Sequence, residues 1–205
     1  MKLHLAIWVV ALCFFRAACM AEDWPMWRHD AGRTAATQLE LPATLYLQWK
    51  LELPPPAPTF PGDFRLCFDR SYEPVVSGKR LFLPSMVTDS VTALDTESGE
   101  VLWRFFAGGP VRFAPVAYRD RVYFASDDGF LYCVAAESGR LVWRFSPWEP
   151  ERQRYMLLGD ERLISRWPAR GGPVIRDGVV YFAASIWPFM GTFIYALDAA
   201  NGNVV

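Results

Sequence analysis

Short apolar runs alternate with turn residues along most of this chain, and the runs repeat. Residues 93–105, A-L-D-T-E-S-G-E-V-L-W-R-F, return about forty residues later at 133–145 as C-V-A-A-E-S-G-R-L-V-W-R-F, and begin again at 196–205 as A-L-D-A-A-N-G-N-V-V. A matching half lies upstream of each: P-V-V from Pro74, P-V-A from Pro115 and P-V-I from Pro173, followed by apolar triplets at Leu81, Val122 and Val180. Runs of this length between Gly-containing turns read as strands. In the second unit the strands are expected at about 113–118, 122–126, 130–134 and 141–145. Asp128-Gly129, Ser138-Gly139 and Asn201-Gly202 supply residues that tolerate positive φ, as tight hairpins demand. Pro opens the first strand of each unit, where no ladder donor is required.

Four antiparallel strands in about forty residues, repeated, form the pattern of a β-propeller blade. A β-sandwich with coincidental spacing is the alternative; similarity across whole units argues against it. The expected fold is therefore all-β: an incomplete propeller of four-stranded antiparallel blades at about 72–107, 112–147 and 170–205, with an insert at 148–169. Residues 45–53, L-Y-L-Q-W-K-L-E-L, read like the last strand of a unit, with Trp49 where Trp103 and Trp143 stand. Three earlier strands do not precede them, so they are expected to close the final blade as its outer strand. Aligning Gly202 with Gly139 places Val205 over Val142, one residue short of the next Trp. The chain is thus expected to be a fragment with nearly three blades.

The pattern A-L-D-x-x-S-G-x-x-x-W resembles the tryptophan-docking repeat of the pyrroloquinoline quinone (PQQ)-like, quinoprotein-type β-propellers, over roughly residues 72–205. Within a leader at 22–44, D-W-P-M-W-R-H-D-A-G-R-T is similar to the leader of exported bacterial members. The resemblance implies that Trp103 and Trp143 lie on outermost strands and pack between blades. A Trp can bury about 150–250 Å², worth at most roughly 4–6 kcal/mol. The position of Ala93, Cys133 and Ala196 is small in every unit, which reads Cys133 as a packing residue. Asp95 and Asp198, replaced by Ala135 in the middle unit, read as turn caps.

Composition excludes disorder: 52% of the 205 residues are hydrophobic, 16% aromatic and only 21% charged. A net charge of -1 gives no electrostatic footprint for nucleic acid or an anionic membrane. Lys2, the mostly apolar residues 3–15, Arg16 and the small residues after it make 1–21 a signal peptide, too short for a membrane span. Export to the bacterial periplasm or beyond follows. A second reading makes Cys19 a lipid-modified N-terminus, because Ala17-Ala18-Cys19 resembles the end of a lipobox, although Arg16 departs from it. Cys67 and Cys133 then remain, too few for a disulfide framework.

Antiparallel alternation places the blade-to-blade connections and the second-to-third-strand turns on one face, and the chain enlarges three loops there. These are the Pro-rich connection at 54–71, the insert at 148–169, and a lengthened turn with Ile186, Trp187, Phe189 and Met190. Arg65, Arg154, Arg166, Trp167, Trp187 and Phe189 are the candidate binding residues, since Trp and Arg are typical anchors on loops held by a rigid scaffold. The alternative is that these loops pack on one another.

For the quinoprotein dehydrogenases, the resemblance implies PQQ over a Trp floor, Ca²⁺ held by Glu, Asn and Asp, an Asp base and adjacent cysteines. This chain has no adjacent Cys pair, and Asn201 and Asn203 fall in a hairpin turn on the opposite face. No cofactor is expected from these residues; PQQ with calcium would require further blades. His29 is the one His after the signal peptide, and Asp127-Asp128-Gly129 reads as a turn and not as a Ca²⁺ loop. The function read here is a non-catalytic exported propeller module that binds or scaffolds a protein or small molecule. The alternatives are part of a PQQ-dependent dehydrogenase and an outer-membrane assembly scaffold.

Overall fold

The computed structural model describes residues 22–58, 62, 70–159, 162–186 and 188–205. Strands β1 (Val75–Ser77), β2 (Arg80–Ser85), β3 (Ser90–Asp95) and β4 (Val101–Phe106) form one antiparallel sheet in sequence order. Strands β5 (Val116–Tyr118), β6 (Arg121–Ala125), β7 (Leu131–Ala135) and β8 (Leu141–Phe145) form a second. After a hairpin of β9 (Met156–Gly159) and β10 (Arg162–Ser165), a third sheet holds β11 (Val174–Arg176), β12 (Val179–Ala184) and β13 (Phe193–Asp198). A bridge from Val204 to Leu197 marks where its fourth strand begins. The first strand of the second blade starts at Val116, later than the pattern predicts. Pro115 has no amide hydrogen, and the Ala114 N–H donates to the Glu73 carboxylate at 3.0 Å instead of to a ladder.

The small position faces the indole across the ladder. Ala93 pairs with Trp103 and Cys133 with Trp143, and the register shifts immediately afterwards in both sheets. Each Trp then reaches the next sheet. Trp103 Nε1 donates to Ala136 O at 3.0 Å, and Trp143 Nε1 donates to Ala199 O at 3.2 Å. At the receiving turns a Cβ on Gly139 would stand 2.6 Å from the Trp103 ring, and one on Gly202 would stand 2.8 Å from Trp143. Both glycines have positive φ, 68° and 76°, so geometry and space each demand glycine there.

Trp49 repeats this contact on the first blade. Its Nε1 donates to Thr96 O at 2.9 Å and its ring covers Gly99. Residues 45–53 differ from expectation in one respect, because they are not in a strand and Leu45, Tyr46 and Leu47 are exposed. A fourth strand needs a third strand of its own blade to pair with, and none lies beside this segment among the described residues.

Hydrophobic burial follows the same scheme, concentrating between sheets. One cluster joins Val75, Phe82 and Ala93 to Val122, Phe124 and Val134, with Trp103 and Phe105 against it. The other joins Val116, Tyr123 and Cys133 to Ile175, Val180 and Leu197, with Trp143 and Phe145 against it. Phe105 meets Tyr132 at 5.4 Å, and Phe145 meets Tyr195 at the same separation one blade on. Burial pushes the Cys133 thiol up to about 11, which keeps it protonated and unreactive at neutral pH.

The caps act as expected. Asp95 Oδ1 accepts the amides of Glu97 and Ser98, and Asp198 Oδ1 those of Ala200 and Asn201. The middle turn keeps its backbone bonds, Gly139 N to Ala135 O and Ala135 N to Arg140 O, without a carboxylate. Ala135→Asp restores the missing acceptor and is expected to raise the thermal midpoint by on the order of 1–2 °C in calorimetry. An unchanged or lower midpoint would show that the turn amides gain nothing from it.

The leader has more order than its sequence indicates. Trp24 pairs with Val76 by two 2.9 Å backbone bonds, Pro25 O accepts from Ala117 N at 2.7 Å, and Met26 is buried in the second cluster. The segment therefore crosses the first strands of two blades, and β5 in turn touches both β1 and β11. His29 lies 4.9 Å from Trp24, with Nε2 3.3 Å from the Glu22 carboxylate. Among the described residues no helix is long and apolar enough to cross a membrane.

Candidate functional site

The connection from β8 to β11 folds back over the turns of the blades it joins. Pro150 opens α1 (Pro150–Gln153) at a position where a helix has no use for its amide, and Gln153 Nε2 donates to Trp148 O at 2.6 Å. The β9–β10 hairpin pairs Leu157 with Ile164 and Leu158 with Leu163. Beyond it the chain bonds to the β6–β7 turn, through Ser165 N to Asp127 O at 2.7 Å and Ala169 N to Ser126 O at 3.1 Å. Ser185 N to Pro168 O at 2.9 Å ties it to the β12–β13 turn.

Ion pairs buried beneath this layer hold it in place. Arg112 Nε donates to Asp127 Oδ2 at 2.6 Å, while Arg170 Nε and Nη2 donate to Oδ1 and Oδ2 at 2.8 and 2.7 Å. All three side chains are no more than 3% exposed. Arg112 Nη1 also donates to Ala57 O at 2.8 Å, so one carboxylate links three connections. Asp128, next in sequence, accepts from Tyr132 Oη, Gly108 N and Phe130 N. Burial still pushes its carboxyl above the usual range, against those hydrogen bonds. Arg162 on β10 pairs with the Asp89 carboxylate and donates to Val87 O at 3.0 Å, which fastens the hairpin to the first blade.

Aromatic packing completes the layer. Trp167 lies 5.3 Å from Trp148 and 6.2 Å from Tyr155, with the guanidinium groups of Arg166 and Arg152 over its ring at 5.4 and 5.9 Å. Trp148 meets Phe193 of β13 at 5.3 Å. Of the six residues singled out from sequence, Arg166 and Trp167 are thus brought together, Arg166 exposed and Trp167 half-buried. Arg154 is exposed at the end of α1, and Phe189 is 80% exposed on a short turn at Pro188–Met190. Arg65 and Trp187 lie outside the described residues, as do Cys67 and residues 1–21 with Cys19.

Sequence reasoning missed the Arg112–Asp127–Arg170 cluster. Its one visible signal was Arg112 standing between Val111 and Phe113 ahead of a strand, since an arginine inside an apolar run is either exposed or paired. The cluster joins the layer above to the β6–β7 turn. Exposed on that layer are Tyr155, Leu157, Leu158 and Leu163.

The carboxylates of this layer do not offer calcium a site. Calcium takes six to eight oxygen ligands. Here the Asp127 and Asp89 carboxylates are engaged by guanidinium groups, and Asp128 by hydrogen-bond donors. Among the described residues no cluster of three or more His, Cys, Asp or Glu is placed to hold a metal ion.

The chain is 30% identical over 128 residues to the dehydrogenase subunit of an alcohol dehydrogenase (quinone) from Gluconacetobacter polyoxogenes. The same identity and span relate it to the counterpart in Komagataeibacter europaeus. The match takes in 55% of this chain but only 16% of the relative. Among solved structures, quinohemoprotein alcohol dehydrogenase from Comamonas testosteroni superposes with a TM-score of 0.61 at 20% identity, over 91% of this chain and 27% of that one. A europium-containing methanol dehydrogenase gives 0.60 at 16% identity, over 89% and 31%. These likenesses show the β-propeller fold. The PQQ_2 family model, described as outer membrane protein assembly factor BamB, matches residues 25–205, and the chain belongs to that family.

Proposed function

We propose that this chain is part of an exported bacterial β-propeller that binds a protein partner through the face built by its enlarged loops. Residues 1–21 serve as its signal peptide, and the repeated indoles act as a tryptophan-docking motif that keeps the blades rigid beneath that face. The observation that carries this reading is the β9–β10 hairpin. Arg162, Ser165 and the chain beside Asp127 bind it to two blades, yet Leu158 is 75% and Leu163 62% exposed as a cross-strand pair. Rigid apolar surface costs little ordering entropy on association, which suits a recognition element.

The test compares envelope proteins retained by the immobilised wild type and by a Leu158→Ser, Leu163→Ser double variant of equal thermal midpoint. Retention is expected to fall by about tenfold or more, as burying two leucine side chains at an interface implies. Equal retention by the two would remove this face from consideration.

A second reading has one observation in its favour, the 30% identity to a quinone-dependent alcohol dehydrogenase subunit. In that reading the cofactor site is formed by residues other than those described. Dye reduction by the protein with PQQ, Ca²⁺ and ethanol, beside the cofactor's absorbance on the purified chain, separates the two readings.

A further inference from the structure

A cavity of about 310 Å³ lies apart from the hairpin, lined by Trp27, Arg33, Glu73, Phe113, Gly171 and Gly172. Its position follows from the fold. Glu73, Phe113 and the two glycines precede the first strands of three successive blades, where those strands converge, and the leader supplies Trp27 and Arg33. The volume is at the lower end of the roughly 300–1,000 Å³ typical of small-molecule sites.

The lining carries one charge of each sign. Arg33 lies over the Trp27 ring at 4.8 Å, with Nη2 3.5 Å from Gly172 O, a long contact that leaves its donors available. Glu73 Oε2 accepts the Ala114 N–H, and no other hydrogen bond to this carboxylate is formed among the described residues. Burial raises its pKa, with the Ala114 amide and the Arg33 charge opposing. A half-buried carboxylate with a free oxygen favours a cationic donor, and a guanidinium with open donors favours a carboxylate. Trp27 and Phe113 add aromatic surface, and glycine at 171 and 172 leaves one wall without side chains.

We infer that this cavity binds a free α-amino acid with an apolar or aromatic side chain: its ammonium on Glu73, its carboxylate on Arg33 and its side chain against Trp27 and Phe113. A ligand with only one of these charges leaves the opposite group of the protein unanswered. The pairing therefore selects for the zwitterion.

Calorimetric titration of the full chain with L-phenylalanine, 3-phenylpropionate and phenethylamine tests this. L-phenylalanine is expected to bind, and loss of either charged group from the ligand is expected to weaken binding by about tenfold or more. Glu73→Gln, which keeps an acceptor for Ala114, and Arg33→Gln at the exposed leader are expected to give matching losses without a change in thermal midpoint. The leucine pair of the hairpin does not line this cavity, so the Leu158→Ser, Leu163→Ser variant should bind L-phenylalanine normally whether or not the loop face binds a partner. Equal binding of phenethylamine and L-phenylalanine would overturn the proposal, as would no binding of any of the three by the folded wild type.

Discussion

Trp103→Ala is expected to lower the unfolding free energy by about 2–4 kcal/mol, slightly below the range for a fully buried Trp because this ring is only partly covered. The loss has three sources. The indole leaves a void against the Gly139 turn, its hydrogen bond to Ala136 O disappears, and its contact with Phe82 at 5.9 Å goes with it. The damage should be local to one seam, so amide exchange should accelerate in β7 and its turn more than in the third sheet. Denaturant unfolding followed by Trp fluorescence and by hydrogen exchange gives both readouts. A loss under 1 kcal/mol, or exchange raised equally in all three sheets, would mean that the indole is not what holds these blades together.

Asp127→Ala is expected to cost about 3–5 kcal/mol, because it takes the shared carboxylate away from two buried guanidinium groups. The replacement has a diagnostic companion. Converting Asp127, Arg112 and Arg170 together to apolar residues of similar volume removes the two buried cations as well, and most of the loss should be recovered. In the single variant the connection above should detach, so limited proteolysis should cut within 148–169 while the blades stay intact. If the triple variant is as unstable as the single one, the loss comes from the missing hydrogen-bonded pairs and not from uncompensated buried charge.

The repeat was legible because each repeated residue answers a local physical need. Gly139 must accept a positive φ and an indole 2.6 Å from any Cβ, and Asp95 must cap its turn, so both leave a mark in the one-dimensional pattern. Strand ends moved by a residue or more where a contact distant in sequence took over, as when Glu73 claimed the Ala114 amide. The candidate face was legible as loop length and aromatic content, but not as contacts. Asp127 and Arg170 stand 43 positions apart, and no period or spacing rule links them. Asp127 read as part of a turn, and it is in one; what its carboxylate does depends on chain that returns from the next blade. The leader reads as a separate segment for a similar reason, since Trp24 and Val76 meet only after the sheets assemble.

The contact between successive blades is directional: one side offers an indole and the other a glycine turn with a carbonyl. Such head-to-tail contacts either close into a ring or propagate as filaments when copies meet. Trp49 occupies the turn at Gly99 from within the same chain, so the leading edge of the first blade is already filled. With that turn taken, the indole of a second copy finds no glycine there to dock against.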